Sequence, residues 1–448
     1  MNNDEMATMP IKKLSIKVAT PMVLSMISVA LYGIVDAIFI SKINSDALTA
    51  IYLAMPVQAI ITAIGLGTGI GVNALLAKTL GEKNKEKANK IICNGFTFII
   101  LSWLIVFLVS FFGVNIFYKF FTDNEVIRAL GNKYLTITAM FSIFNLTELL
   151  LEKILEAHGK TKSSLALKFT GAVTNLVLDP ILIFGLLGLP AFGITGAAIA
   201  TIFGQFCGMM VGFIALRKHN LVNINTKDLK INSSIAKDVY KVGLPSIILD
   251  SLDSLITLML NKVLITFSAS AVNVWGIYGQ LQKFIIIIVY GLNFGMIPII
   301  AYNWGAKNKE RIIECIKFFA KLIAGETFIG MLVFLLIPTY LVSMYDSSKE
   351  IMTIAVPAFR ILSIGFVFAG LSVMLSGTCQ AFGKGMESLL INLCRKIIFV
   401  IPIIFILKPF AGIYSIWIAF TIGEILTTIV AYTLYKKRVY NDIITKIK

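Results

Sequence analysis

Charge is what this sequence has least of. Only 14% of its 448 residues are Asp, Glu, Lys or Arg, against roughly a quarter in soluble globular proteins. With 57% hydrophobic residues and a mean hydropathy of +0.86, the chain is read as helices lying in lipid. Histidine is rarer still: His158 and His219 are the only two, both expected at the membrane edge. No HExxH or GxSxG motif is present, so an intramembrane hydrolase or metal centre lacks its residues. The five cysteines, Cys93, Cys207, Cys315, Cys379 and Cys394, fall in or beside apolar runs with no CxxC spacing. That excludes a disulfide framework or metal cluster and leaves them as small apolar packing residues. Gly65, Gly67, Gly69 and Gly71 lack the GKS or GKT ending of a phosphate loop and lie inside an apolar run, where close helix packing or a flexible bend explains them. Gly159-Lys160-Thr161 has no glycine five residues before it and is read as a tight turn. The first apolar run has no small-residue cleavage site behind it, so it is expected to stay as a helix. No soluble domain or low-complexity tract is found.

What remains is apolar stretches of membrane-spanning length. Six occur near 15–40, 50–77, 91–117, 130–157, 163–187 and 193–216, and six more near 238–265, 273–302, 312–340, 352–382, 387–407 and 411–435. The fold class is therefore an all-α integral membrane protein with twelve transmembrane helices. Kinks are expected at Pro21, Pro56, Pro245 and Pro298.

The second set repeats the first. Gly81-Glu82-Lys83-Asn84-Lys85-Glu86 falls on Gly305-Ala306-Lys307-Asn308-Lys309-Glu310 at an offset of 224, half the chain. The same offset carries Pro21 onto Pro245, Gly67 onto Gly291, Gly71 onto Gly295 and Gly159-Lys160 onto Gly383-Lys384. Anchors spread over the whole half-length at one offset mean two equivalent halves. Six helices return the chain to its starting side, so the second half enters with the same orientation. The two six-helix bundles are expected to be related by a pseudo-twofold axis along the membrane normal, with a cavity between them. The expected division is an N-lobe over 1–218, a polar linker over 219–240 and a C-lobe over 241–448.

Basic residues collect in alternate loops. One set holds Lys12, Lys13 and Lys17; Lys78 through Lys90; Lys160, Lys162 and Lys168; Arg217 through Lys241; Lys307, Lys309 and Arg311; Lys384, Arg395 and Lys396; and the tail from Lys436. The other set has little beyond Lys42, Lys119, Arg128, Lys133, Lys349 and Lys408. The positive-inside rule makes the first set, and both termini, cytoplasmic. The net charge of +16 is accounted for by this topology rather than by nucleic acid, and it allows contact with anionic lipid headgroups.

Ionisable groups at membrane depth are costly and mark function. Asp36 lies in the first span with Tyr32 one turn before it, and Asp179 lies in the fifth with Asn175 one turn before it and Pro180 expected to break the helix just after. Two carboxylates with amide and hydroxyl neighbours suit a proton or a sodium ion; the alternative is that each is merely hydrogen-bonded packing. In the fourth span Glu148, Glu152 and Glu156 recur every four residues beside Lys153. Glu156 and His158 are expected to be solvated near the cytoplasmic end, while Glu152 either lines the cavity or pairs with Lys153. In the seventh span Asp250 and Asp253 share a face and suit a lipophilic cation, unless Lys283 neutralises one of them. Glu326 and Glu424 complete the acidic residues of the spans.

These residues resemble the multidrug and toxic compound extrusion (MATE) family. The resemblance rests on Ala19-Thr20-Pro21 with Asp36 fifteen residues later, the Gly81 loop, Gly159-Lys160-Thr161, and Asn175 to Asp179-Pro180. Tyr278-Gly279-Gln280-Leu281-Gln282-Lys283 resembles its MepA-like branch. The resemblance covers almost the whole chain and implies a V-shaped pair of six-helix bundles. It implies export of lipophilic, often cationic, drug-like compounds in exchange for protons or sodium ions, by a monomer in the plasma membrane with no cofactor. By position, Asp36, Asn175 and Asp179 match the family's N-lobe ion site, with Tyr32 beside them. Asp253 matches its C-lobe acidic position, and Asp250, Gln280 and Glu152 join it as substrate-contacting candidates. Some members carry another acidic residue in the tenth span, but 366–382 has none here, which moves the expected coupling to the N-lobe.

Three other readings are weighed. A lipid-linked or oligosaccharide flippase of the same superfamily would want a cationic cavity, whereas the intramembrane charges here are mostly acidic. A carrier of the major facilitator type has the same parity but lacks its basic loop after the second helix. An intramembrane enzyme lacks a nucleophile and base.

Overall fold

The helices follow the hydropathy and overrun it at their polar ends. The computed structural model describes the backbone of residues 3–41, 45–222, 230–265, 269–344 and 348–446. Within these it describes the side chains other than those of residues 3–5, 29–41, 45, 48, 52, 250, 252–263, 265, 269, 270, 272 and 446. Among the described residues there is no strand, and two sets of six helical spans match the two sets read from the sequence. The first set is α1 (Ile11–Ser41), α2 (Ser45–Gly81), α3 (Lys85–Phe121), α4a (Glu125–Met140) with α4b (Ile143–Ala157), α5 (Thr161–Phe184) and α6 (Ile194–Lys218). The second is α7 (Ser233–Ile265), α8 (Ala269–Gly305), α9 (Lys309–Leu336), α10a (Lys349–Ile364) with α10b (Phe366–Ala381), α11a (Gly385–Leu393) with α11b (Val400–Ala411), and α12 (Tyr414–Leu434).

The overrun has a local cause. α3 begins at Lys85, ahead of the apolar run, because Asn84 Oδ1 accepts from Lys87 N at 3.0 Å and caps the first turn. The second half repeats the device, with Asn308 Oδ1 accepting from Arg311 N at 3.2 Å ahead of α9. Lys83 and Lys307, before these caps, both hold positive φ, 59° and 56°. α7 likewise begins at Ser233, inside the stretch read as linker. Asn232 Oδ1 accepts from Ser234 N and Ile235 N, and Asn232 N donates to Asn94 Oδ1 at 2.8 Å.

The breaks within spans do not fall at the prolines named above. Pro21, Pro56, Pro245 and Pro298 each lie inside an unbroken helix. The breaks separate α4a from α4b at 44° and α10a from α10b at 45°. Phe141 and Gly365, where they fall, are themselves 224 residues apart. A side chain takes the carbonyl exposed at each: Trp103 Nε1 donates to Met140 O at 2.8 Å, and Thr421 Oγ1 donates to Ile361 O at 2.8 Å. Between α11a and α11b the chain makes one π-helical turn, Cys394–Ile398, closed by Phe399 N donating to Cys394 O.

The chain divides into two compact units: Met1–Met6 with Leu24–Ser251, and Ala7–Val23 with Leu252–Lys448. Each unit thus includes the start of the other half's first helix. In the first unit, α7 lies so close to α2 that a Cβ at Gly71 would strike Val239 O, and one at Gly243 would come 2.7 Å from Gly67 O. In the second unit, the start of α1 meets α8 in the same way. A Cβ at Gly291 would lie 2.6 Å from Val23 Cα, and one at Gly295 would lie 2.8 Å from Ala19 Cα. Gly67, Gly71, Gly291 and Gly295 are therefore helix-contact residues, the close packing expected of Gly67 and Gly71.

The outward faces are apolar. Along α3, Ile105, Val109, Phe112 and Ile116 are all exposed by more than 60%, a strip at helical spacing with acyl chains as its natural solvent.

Candidate functional site

The fifth and sixth helices make a polar site possible by touching backbone to backbone. A Cβ at Gly204 would lie 2.7 Å from Gly171 O, and one at Gly171 would lie 3.2 Å from Gly204 O. Side chains beside such a contact are sealed from lipid, and the polar ones are Asn175 and Asp179 of α5 and Thr201 of α6. Asn175 is 2% exposed and Asp179 not at all. Asn175 Nδ2 reaches Asp179 Oδ1 and Thr201 Oγ1, both at 3.4 Å, while the threonine hydroxyl donates to Ala197 O at 3.0 Å. Asn175 Oδ1 accepts no hydrogen bond among the described residues. This is an oxygen-rich pocket of one carboxylate, one amide and one hydroxyl, a donor set that suits a proton or a hard cation.

Pro180 does not end the helix, contrary to the expectation. α5 runs through it to Phe184 and closes at Gly185 with φ 74°. The ring removes one backbone N–H but its φ fits a helix, and the packing of α5 on α6 holds the remaining turn. Thr201 was missed in the sequence. Its signal is there in retrospect: Thr201, Gly204 and Gly208 lie on one face of the sixth span, the face that meets Gly171 and Asn175.

The side chains of Tyr32 and Asp36 in α1, and of Asp250 and Asp253 in α7, lie outside the described residues. Gln280 and Lys283 are exposed on α8. Glu326 is partly buried on α9.

The glutamates of α4b differ from their expectation. Glu156 and His158 were read as solvated, yet they are 2% and 5% exposed. The chain folds back over them, with Gly159 N donating to Glu156 O and Lys160 N to Leu155 O, both at 2.8 Å. His158 Nδ1–H donates to Ile154 O at 2.9 Å, and burial pushes its imidazole down to about 4. Glu152 pairs with Lys153, as one of its two readings had it, at 3.8 Å, and more closely with Lys168 at 3.3 Å. Lys168 had been counted with the loops. It lies seven residues inside α5 and is only 14% exposed, because Glu148 and Glu152 neutralise it there.

Arg395 was also counted with the loops and is also inside a span. It sits in the π-helical turn of α11, 9% exposed, and its Nε donates to Glu424 Oε1 at 2.7 Å. Widening one helical turn there aims the guanidinium at α12. The pair adjoins an aromatic core built from Trp275 and Tyr278 of α8, Phe334 of α9, Phe359 and Phe366 of α10, and Trp417 of α12. Trp275 stacks on Trp417 at 6.3 Å, and Tyr278 meets Phe359 edge-on at 5.8 Å.

Comparison with known proteins agrees with this architecture. The MatE family matches residues 21–181 and 245–406, one stretch in each half. The chain is 27% identical over 428 residues to the multidrug export protein MepA of Staphylococcus haemolyticus, covering 92% of each. It is 23% identical over 432 residues to a FAD transporter of Shewanella oneidensis, covering 96% of this chain and 95% of that one. Crystal structures of a MATE protein in its straight and bent conformations each match with a TM-score of 0.91 at 22% identity, over 98% of this chain and 99% and 98% of those chains.

Proposed function

The chain belongs to the MatE family, whose members are membrane transporters and not enzymes, and from that membership we propose that it is a multidrug efflux antiporter. It exports lipophilic, often cationic compounds from the cell in exchange for protons, or sodium ions, by alternating access. The moving bodies are the lobes 1–218 and 241–448, joined by 219–240, and the protein lies in the plasma membrane with both termini cytoplasmic. The relatives named as multidrug export proteins support the substrate class.

The observation that carries the reading is the constellation of buried Asn175 and Asp179 with half-buried Thr201. A carboxylate inside a membrane helix costs several kcal/mol unless its charge has a use or a partner. Asp36 and Tyr32 join it as coupling-ion residues. Protonation would remove charge from Asp36 and Asp179, let α1 rearrange near Pro21 and weaken the drug site. Each ligand shifts inward and outward states only through its differential affinity for them. Asp250, Asp253 and Gln280 are the proposed substrate contacts, with Met and aromatic walls adapting to varied ligands; Glu152, the fourth candidate, is taken up by Lys153 and Lys168.

The test is ethidium uptake into inside-out vesicles under an imposed pH gradient or an imposed sodium gradient, with wild type, Asp36→Asn and Asp179→Asn. The reading expects one gradient to drive uptake in wild type and neither to drive it in the two variants. Gradient-driven uptake persisting in both variants would remove it.

A further inference from the structure

Five side chains of α4b and α5, four of them buried and Lys168 nearly so, form an alternating ladder of charge. Lys168 Nζ lies 3.4 Å from Glu148 Oε1 and 3.3 Å from Glu152 Oε2. Lys153 Nζ lies 3.8 Å from Glu152 Oε1 and 2.9 Å from Glu156 Oε2. None of the five side chains is more than 14% exposed. Three carboxylates against two ammonium groups leave one negative charge over, in a place where an uncompensated charge is strongly unfavourable. The charges that act on each carboxylate are the other rungs of the ladder. The packed helices carry further titratable groups, among them Lys78 of α2, Lys90 and Cys93 of α3, and Cys207, Arg217 and Lys218 of α6. Facing the ladder, α2 presents Gly69 and Asn73, and α6 presents Gly208.

The ladder leads from the α4b–α5 turn toward the Asp179 site. Glu148 Oε1 lies 3.4 Å from where a Cβ of Gly171 would be and 2.9 Å from that of Gly208. Gly171 in turn touches Gly204, whose own Cβ would lie 3.0 Å from Asn175 Cβ. Along the route from Glu148 to Asn175, the neighbouring positions of α5 and α6 are thus glycines. Three polar atoms beside the route, Asn73 Oδ1, Ser164 Oγ and Asn175 Oδ1, are buried with no hydrogen-bond partner among the described residues. Asn73 is fixed at the ladder by its Nδ2, which donates to Lys153 O at 2.8 Å. Ser164 precedes Lys168 by one turn on the same face of α5. Buried polar atoms of this kind are ordinarily met by water.

We propose that the ladder is a proton relay between Asp179 and the α4b–α5 turn, with one excess carboxylate that stores a proton in transit. A proton leaving the Asp179 carboxyl crosses on water past Asn175 and bonds to the Glu148 carboxylate. The ladder then passes from one negative charge to neutral. Lys168 gives an N–H proton to Glu152 as it takes one from Glu148, Lys153 does the same between Glu152 and Glu156, and loss of the proton from Glu156 at the turn restores the charge, so one bond to hydrogen forms for each that breaks. Lys168 and Lys153 stay charged and keep the three carboxylates at hydrogen-bonding separation from them. The relay rests on the proton form of the exchange proposed above, and in the orientation proposed there it opens to the cytoplasm.

The test uses the full chain in liposomes holding a pH-sensitive dye, with ethidium as the drug and ethidium affinity measured separately in detergent. Glu148→Gln is expected to bind ethidium as wild type does, to slow ethidium–proton exchange by about tenfold or more, and to lose the dependence of that rate on pH at the turn side. Wild-type rate and pH profile in Glu148→Gln, with exchange abolished in Asp179→Asn, would overturn the relay and leave the antiporter standing. Exchange persisting in Asp179→Asn would overturn both. If binding and exchange fall together in Glu148→Gln, the ladder is structural and the relay is overturned. Should that variant fail to fold, Glu148→Asp keeps the charge and withdraws the carboxyl by one methylene. It is expected to slow exchange while binding ethidium normally, and an unchanged rate would overturn the relay.

Discussion

Thr201 on α6 and Asp179 on α5 are held to one another through a single amide: Asn175 Nδ2 reaches the hydroxyl of the first and the carboxylate of the second, each at 3.4 Å. The three side chains are one unit because Gly171 and Gly204 let the two helix backbones touch. Thr201→Val keeps the shape and removes the hydroxyl. It is expected to lower gradient-driven ethidium uptake about tenfold, since a buried hydrogen-bonding partner is worth about 1–2 kcal/mol. Uptake assays and a melting curve check it, and unchanged uptake would separate Thr201 from the site.

Arg395 and Glu424 predict a non-additive pair. Arg395→Met leaves a buried carboxylate without its counter-charge and should cost about 3–5 kcal/mol. The double variant Arg395→Met with Glu424→Gln should regain most of that loss. Thermal unfolding of the purified protein measures both, and equal destabilisation in the single and double variants would contradict the pairing.

The bend at Gly365 depends on the Thr421 hydroxyl. Thr421→Val orphans Ile361 O in the second unit and should destabilise by about 1–3 kcal/mol. Trp103→Phe should do the same to Met140 O at the equivalent bend of the first unit. Melting temperatures test the pair, and two neutral variants would mean that the bends hold without these donors.

His158 predicts a loss of stability on acidification. Burial holds the folded imidazole neutral down to about 4, while the unfolded chain takes its proton near 6.5. Between those values the unfolded state binds more protons, so stability falls as pH falls, by about 3 kcal/mol at most. His158→Gln should flatten the melting temperature between pH 6.5 and pH 4. A variant that loses as much stability as wild type over that range would assign the effect elsewhere.

The sequence carried the twelve spans and the duplication because both are written in long apolar runs and in loop residues that recur at one offset. It also carried the Asn175–Asp179 pair, since one helical turn separates them. It did not show Thr201, which reaches the site from another helix and is one hydroxyl among many. The burial of Lys168, Arg395, Glu156 and His158 was hidden for a related reason. Each was judged by its distance along the chain from a loop, but Lys168 and Arg395 find partners across a helix contact, and Glu156 and His158 find theirs in Lys153 and Ile154 of the preceding turn. The bends at Phe141 and Gly365 were missed because no proline marks them; donors from α3 and α12 stabilise the opened carbonyls instead.

The most direct measurement is the ion released when ethidium binds to the purified protein, read as protons in weak buffer or as displaced radiolabelled sodium. Wild type is expected to release one of these ions on binding, and Asp179→Asn, which mimics the protonated acid, to bind ethidium more weakly and, at saturating ethidium, to release neither. Equal release from the two proteins would show that Asp179 does not carry the exchanged ion, and the account of this site would be wrong.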